Sequence, residues 1–382
     1  MSHGKCMGFR SRFGRPLLIF LAASALGLAA ARDFPPGRIP AAEFSKIIES
    51  FSEEEGYFLS DNLISNEDGY LSVLGKLREL RVSGGAYLGV GPEQNFTYIA
   101  KIRPSIAFLV DIRRQAMIQH LMYKALFHLS KNRADFLSRL LSRRLTGKEA
   151  PGADSSVAAL MDYFANAPPD ILYFTSNLAE MERAIQSDFE FPLSKEDRDL
   201  LTNTARSFYT DGLDVSFRFK SPGRGGFGMP SMRELVEQVD AEGKPGNYLA
   251  SATDFQFVRA LHEKNRIIPV CGDFAGSKTL KAIAGYLRAH SCTVNVFYTS
   301  NVEMYLFQNG RFGNFVENVK ALPAAPGSVF IRSANNRWRW PSSGYRMATM
   351  LQYISVFLKD EQEGLYPDYW TLVRMHLIPI DP

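Results

Sequence analysis

Four groups of residues stand where short apolar runs end, and their types suit the binding of a nucleotide-like ligand. Gly89 and Gly91 close the run GAYLGVG, and Pro92 opens a helical stretch behind them. Such a glycine pair lets the chain turn sharply off a strand and bring backbone N–H groups close to a ligand, while the helix aims its positive end there. Asp111 ends the second run, SIAFLVDIRR, twenty residues beyond Gly91. At about that spacing a carboxylate on the tip of a second strand reaches a ribose hydroxyl pair. Asp273 follows the run RIIPVC, where a second acid faces a base or a bound polar group. Tyr298, Ser300 and Asn301 end the alternating run TVNVFYTSN. Open α/β sheets take ligands at that end of a strand, and a tyrosine or asparagine there orients an acceptor group.

Other local patterns have plainer readings. Gly272, Gly276, Lys278 and Thr279 nearly spell a phosphate-binding loop, but Ser277 stands where that loop requires glycine. Lys278 is therefore read as a solvated residue of a first helical turn. His120 and His128 lie two turns apart on one helix without a third ligand in pattern, so they are read as packing or surface histidines and no metal site is expected. Ser300 and Glu303 have the spacing of a capping box, which accounts for the pair without any function. Trp338, Arg339 and Trp340 form an aromatic and basic corner that either stacks on a planar substrate or plugs a sheet edge. The loop FRFKSPGRGGFGMP, Phe217 to Pro230, is either a substrate lid or a solvated connection.

These residues need an alternating α/β frame to bring them together. Ala41 to Phe51 reads as an amphipathic helix with Phe44, Ile47, Ile48 and Phe51 on one face, and Tyr70 to Arg81 as a second helix leading into the first strand. The strand Ile106 to Asp111 is followed by a helix from Arg113 to Ser130. Residues 131–265 change character to charged helical patterns, among them Pro169 to Gln186 and a helix start at Ser194 with Asp197. Strand and helix then alternate again from Arg266, through Thr293 to Tyr298 and Ser328 to Arg332, to a helix over Gly344 to Phe357. The final TLVRMHLI reads as an antiparallel sheet edge.

A chain of 382 residues with 46% hydrophobic and 22% charged residues is an ordinary globular protein. Lys5, Arg10, Arg12 and Arg15 supply as many positive charges as the whole net charge of +4. The rest is near neutral, so no global charge argues for a nucleic-acid partner, although a local basic patch stays open. Residues 1–31 have the layout of a secretion signal, with a basic opening, an apolar run from Leu17 and a small-residue end at Ala29 to Ala31. Cleavage before Arg32 is the preferred reading, ahead of an uncleaved anchor and of a later true start. Cys271 and Cys292 would survive cleavage, as buried thiols or as one bridge.

In YLGVGPEQNFTYIA, FLVDIRR, VCGDFAG and FYTSNVEMYLF the chain resembles the class I S-adenosylmethionine-dependent methyltransferase superfamily, closest to an uncharacterised bacterial branch. The resemblance implies an α/β, Rossmann-like methyltransferase-type sheet flanked by helices, with a helical insertion between the second and third core strands. Its parts would be a lead-in over 32–69, a first core part over 70–130, the insertion over 131–265 and a second core part over 266–382. It implies S-adenosylmethionine as cofactor. Gly89 and Gly91 would lie under its methionine part, Asp111 would take the ribose hydroxyls, Asp273 with Phe274 would flank the adenine, and Tyr298 to Asn301 would border the methyl acceptor. Tyr87 stands where the superfamily pattern has an acid, and Glu93 where it has a third glycine. Glu93 either replaces the lost acid from across the turn or is a first-turn helix charge. Two functions follow: a methyltransferase acting on a small molecule or protein side chain, or an exported, catalytically silent binding protein that uses the same cleft. The first places the protein in the cytoplasm, where the donor is; the second places it outside or in the periplasm, with membrane contact only through an uncleaved leader.

Overall fold

A computed structural model describes residues 32–220, 228–335 and 344–380, together with residues 1 and 3. The leader over 4–31 and the corner Trp338, Arg339 and Trp340 lie outside the described residues, and the Phe217 to Pro230 loop is described only at its ends.

The centre is a six-stranded mixed sheet in the order β3-β2-β1-β4-β5-β6, flanked by helices. The strands are β1 Ala86–Gly89, β2 Ile106–Asp111, β3 Ile267–Cys271, β4 Val294–Ser300, β5 Ala324–Asn335 and β6 Met347–Tyr353. β1 to β5 run parallel, and β6 pairs antiparallel with β5. Every residue of β1, β2 and β3 is buried, as expected of parallel strands with both faces covered. That is why these runs read as continuous apolar sequence rather than as alternation.

The helices that matter for the site are α1 Ala41–Phe51, α2 Gln94–Ile102, α3 Arg114–Leu129, α4 Thr279–Ala289, α5 Val302–Gln308 and α6 Ile354–Gln362. The helices within 131–265 lie in sequence between α3 and β3, and those over Arg133–Leu141, Lys195–Asp211 and Ala252–Glu263 pack on α3. This covering explains why α3 is buried almost all round, Lys124 included. The Lys124 amine donates to the His262 carbonyl and to Asn265 Oδ1 (2.5 and 2.6 Å), and burial pushes its pKa down to about 7. Ser194 and Asp197 form the expected capping box, and buried Asp197 takes both arms of Arg114 at the start of α3 (2.6 and 2.8 Å).

The last strand lies elsewhere than expected. Met347–Tyr353, read as helix, is β6, and TLVRMHLI holds the end of a short helix, Tyr369–Leu372, and one antiparallel bridge from Ile378 to Leu351. All but the final residue of β6 are buried, so methionine and leucine on both faces mimic a buried helix when read locally. Pairing with β5 overrides that local preference. The helix after β1 begins at Gln94 rather than Pro92. Cys271 and Cys292 are buried and free.

Candidate functional site

A cavity of about 220 Å³ opens at the carboxyl ends of β1 to β4, across the point where the strand order reverses between β1 and β4. Its wall includes Gly91, Asp111, Asp273, Phe274, Tyr298, Ser300 and Asn301. The residues singled out in four separate runs of sequence thus share one surface. Gly89 and Glu93 stand outside that wall.

The glycine turn is held from behind. A Cβ on Gly89 would collide with Asn95 Oδ1 and lie 2.7 Å from the Tyr87 ring, so this glycine makes room for α2 against the strand. The Tyr87 hydroxyl donates to Asn95 Oδ1 (2.8 Å), and the Asn95 amide donates to the carbonyls of Val90, Gly91 and Pro92 (2.9, 3.1 and 2.8 Å). Neutral, buried His120 adds its Nε2 against the Gly91 carbonyl (2.8 Å), and burial pushes its pKa down to about 4. Gly91 lines the cavity at φ +80°, and a Cβ built on it would meet nothing nearer than Asn62 at 3.6 Å. Glu93 is buried with Oε2 unpartnered among the described residues, and burial pushes its pKa up to about 8.

Each strand-tip acid carries an arginine. Asp111 Oδ1 accepts from the Arg113 backbone N–H and Nε (3.0 and 2.9 Å), and Oδ2 accepts from Arg113 Nη2 (2.7 Å). Asp273 accepts from the Ala275 N–H at Oδ1 (2.8 Å) and from Arg311 Nη1 at Oδ2 (2.5 Å). Phe274 packs edge-on against Phe297, with ring centroids 4.8 Å apart.

The lead-in supplies a wall that no motif announced. Residues 52–67 cross the ends of β2 and β3, fixed by the Glu53 N–H to the Cys271 carbonyl (2.9 Å) and the Gly56 N–H to the Ile112 carbonyl (2.8 Å). Phe58 meets Tyr305 edge-on (5.5 Å) and lies under the Arg113 guanidinium (5.3 Å). Glu53 fills the loop that resembles a phosphate cradle. Its carboxylate accepts from the N–H groups of Asp273 and Lys278 (3.2 and 2.7 Å) and from Thr279 Oγ1 (3.3 Å). The chain's own carboxylate thus sits at the start of α4, and Lys278 Nζ turns away to the Ser52 carbonyl (2.6 Å).

Glu67 is the acid that sequence reasoning missed. It is 1% exposed and lines the cavity wall. Gln94 Nε2 donates to its Oε2 (3.0 Å) and Ser300 Oγ donates to its Oε1. Gln94 Nε2 also lies 3.2 Å from the Tyr298 hydroxyl, and Ser65 Oγ donates to Gln94 Oε1, which sets the amide's orientation. Burial pushes the Glu67 pKa up, against the hydrogen bonds from Ser300, Gln94 and Tyr298. Ser300 has a left-handed backbone, φ +54°, which costs a non-glycine residue about 1–2 kcal/mol.

The Ser300 and Glu303 capping box does not form. Asn301 is the N-cap of α5 and no side chain caps it. Glu303 instead accepts from Thr299 Oγ1 (3.0 Å) and from Arg332 Nε (2.8 Å), in an ion pair with both side chains fully buried. Arg332 Nη1 continues to Gln352 on β6 (2.7 Å). Tertiary partners have replaced the local pair and left Ser300 free for Glu67.

His128 pairs with Asp188 (3.2 Å) away from the cavity, and no cluster of three metal-ligating side chains occurs among the described residues. No described helix is long and apolar enough to cross a membrane. A family model described as Domain of unknown function (DUF7790) matches residues 63–368. No curated protein matches the chain.

Proposed function

For this chain, which belongs to the DUF7790 family, we propose an S-adenosylmethionine-dependent methyltransferase whose cofactor lies across the carboxyl ends of β1 to β3 and whose acceptor meets Tyr298, Ser300 and Asn301. The observation that carries this reading is the convergence of Gly91, Asp111, Asp273 with Phe274, and the β4 tip on one cavity at the switch point of the sheet. The strand order matches that of dinucleotide-binding sheets, with an antiparallel last strand as the departure.

The residues present suit the cofactor. Asp111 Oδ1 already accepts two hydrogen bonds and Oδ2 one, which leaves Oδ2 able to accept from a ribose hydroxyl. Phe274 offers an apolar surface beside Asp273 for a base. When bound, the cofactor would supply an electrophilic methyl group. The protein's part is then mainly to hold the acceptor in line, which needs position more than a strong base.

A second reading is a catalytically silent, exported binding protein. It is favoured by Tyr87, whose side chain is buried against Asn95, so that β1 sends no carboxylate into the cavity. Incubation with methyl-tritiated S-adenosylmethionine and separate protein and small-molecule fractions of a cell extract distinguishes the two. Label moved into either fraction above a heat-inactivated control supports the transferase and names its acceptor class. No transfer, together with no measurable affinity for the donor, favours the silent protein.

A further inference from the structure

The ionisable groups on the cavity wall do not balance. Asp111 is paired with Arg113, and Asp273 with Arg311, so these four charges cancel two by two. Glu67 remains, and its described partners Gln94, Ser300 and Tyr298 are uncharged. With Tyr298 counted, three neutral donors face this carboxylate, and an ionised carboxylate offers about four acceptor sites, so capacity for a further donor is left. The cavity wall also carries Tyr57, Phe58, Tyr298 and Tyr305, of which Tyr298 stands beside Glu67. A single buried carboxylate beside aromatic faces recognises an organic cation: the carboxylate supplies charge and hydrogen-bond acceptors, and the rings favour the cation's alkyl shoulder.

We propose that the Glu67 end of this cavity is a binding site for an alkylammonium group. A buried carboxylate without a cation holds a proton instead of a charge, and an ammonium group that replaces that proton gives the ionised carboxylate its counter-charge. A divalent metal fits less well, because one carboxylate without a cluster of further ligands does not hold it. Gln94 and Ser300 act as positioning residues, with Ser65 orienting Gln94 and the left-handed backbone at Ser300 directing its hydroxyl to Glu67. The proposal rests on the same cavity as the methyltransferase reading. Within that reading the ammonium has two sources, an amine of the acceptor or the amino-acid end of the cofactor.

Calorimetric titration of the full chain separates these cases. One pair of probes is benzylammonium and its neutral counterpart benzyl alcohol; the other is S-adenosylhomocysteine and 5′-methylthioadenosine, which lacks the amino-acid end. The expected result is at least a tenfold preference for the ammonium member of one pair, lost in Glu67→Gln. A preference in the benzyl pair identifies an acceptor amine, and one in the adenosyl pair identifies the cofactor's own amino group. Wild-type protein must also rank benzylammonium above benzyl alcohol or S-adenosylhomocysteine above 5′-methylthioadenosine, a check that stands if the variant fails to fold. No preference in either pair, a preference that survives Glu67→Gln, or no binding by any ammonium probe overturns the site. Equal binding of both adenosyl compounds without an ammonium preference would sink the site and leave the transferase reading standing. Glu67-dependent benzylammonium binding with neither adenosyl compound bound would do the reverse.

Discussion

Replacing Glu93 by glutamine should make the protein more stable at alkaline pH and change its pH dependence in a defined window. Glu93 is buried at the turn into α2, and its pKa is raised by burial from 4.5 to about 8. Between those values the folded protein keeps a proton that the unfolded chain has lost, so stability falls as pH rises from 4.5 to about 8. At about 1.4 kcal/mol per pH unit, the loss above pH 8 approaches ~5 kcal/mol, an upper bound because relaxation and water entry lessen it. Lys124 and His120 act in the opposite sense, since burial lowers both, to about 7 and about 4, and each stabilises the fold more as pH rises. Their contribution is common to both proteins and cancels in the difference. Urea unfolding of wild type and Glu93→Gln from pH 5 to 9 should therefore give a stability difference that grows in favour of the variant with rising pH and levels off near pH 8. A constant offset is expected beneath it, because the amide in that pocket has its own unmet hydrogen bonds. A difference that does not change with pH, or one that turns against the variant as pH rises, would refute a protonated Glu93 and return this side chain to consideration as a charged ligand contact.

Gly89→Ala drives a Cβ into Asn95 Oδ1, and overpacking of this kind should lower stability by about 1–3 kcal/mol, read as a lower urea midpoint. Glu303→Ala strands the buried Arg332 charge and should cost about 3–5 kcal/mol, whereas Glu303→Leu with Arg332→Met should fall within about 1–2 kcal/mol of wild type; equal losses would argue against an uncompensated charge as the cause. Glu53→Ala vacates the backbone N–H groups at the start of α4, so inorganic phosphate should raise the melting temperature of that variant more than that of wild type. The absence of any added phosphate response would mean that Glu53 is not standing in an anion cradle.

What was legible in the sequence follows from how each residue reaches the cavity. Gly91, Asp111, Asp273 and Tyr298 each end an apolar run, and in a sheet whose strands are buried on both faces the end of a run is the end of a strand. Parallel alignment of β1 to β4 then gathers those ends on one side. Glu67 had no such signal. It lies in an irregular segment and meets Gln94 and Ser300 only through folding, across 27 and 233 residues. Glu53 reaches the α4 loop across 225 residues for the same reason. The capping-box reading of Ser300 failed because a three-residue spacing is a local rule, while Glu303 has a buried arginine as a stronger partner. The β6 error has the mirror-image cause, since a strand apolar on both faces carries no alternation to read.

The central claim is that the cavity holds an adenosyl ligand with Asp111 on its ribose. Titration of the full chain with S-adenosylmethionine and S-adenosylhomocysteine, beside Asp111→Asn and Asp111→Ala, tests it most directly. The asparagine variant keeps the side chain's shape next to Arg113 and guards against loss of fold. Micromolar binding to wild type, weakened at least about tenfold in both variants, is the predicted result, as loss of a hydrogen bond to a charged group is worth about 1.5–3 kcal/mol. A folded wild-type protein that binds neither compound, or variants that bind as tightly as wild type, would contradict the account.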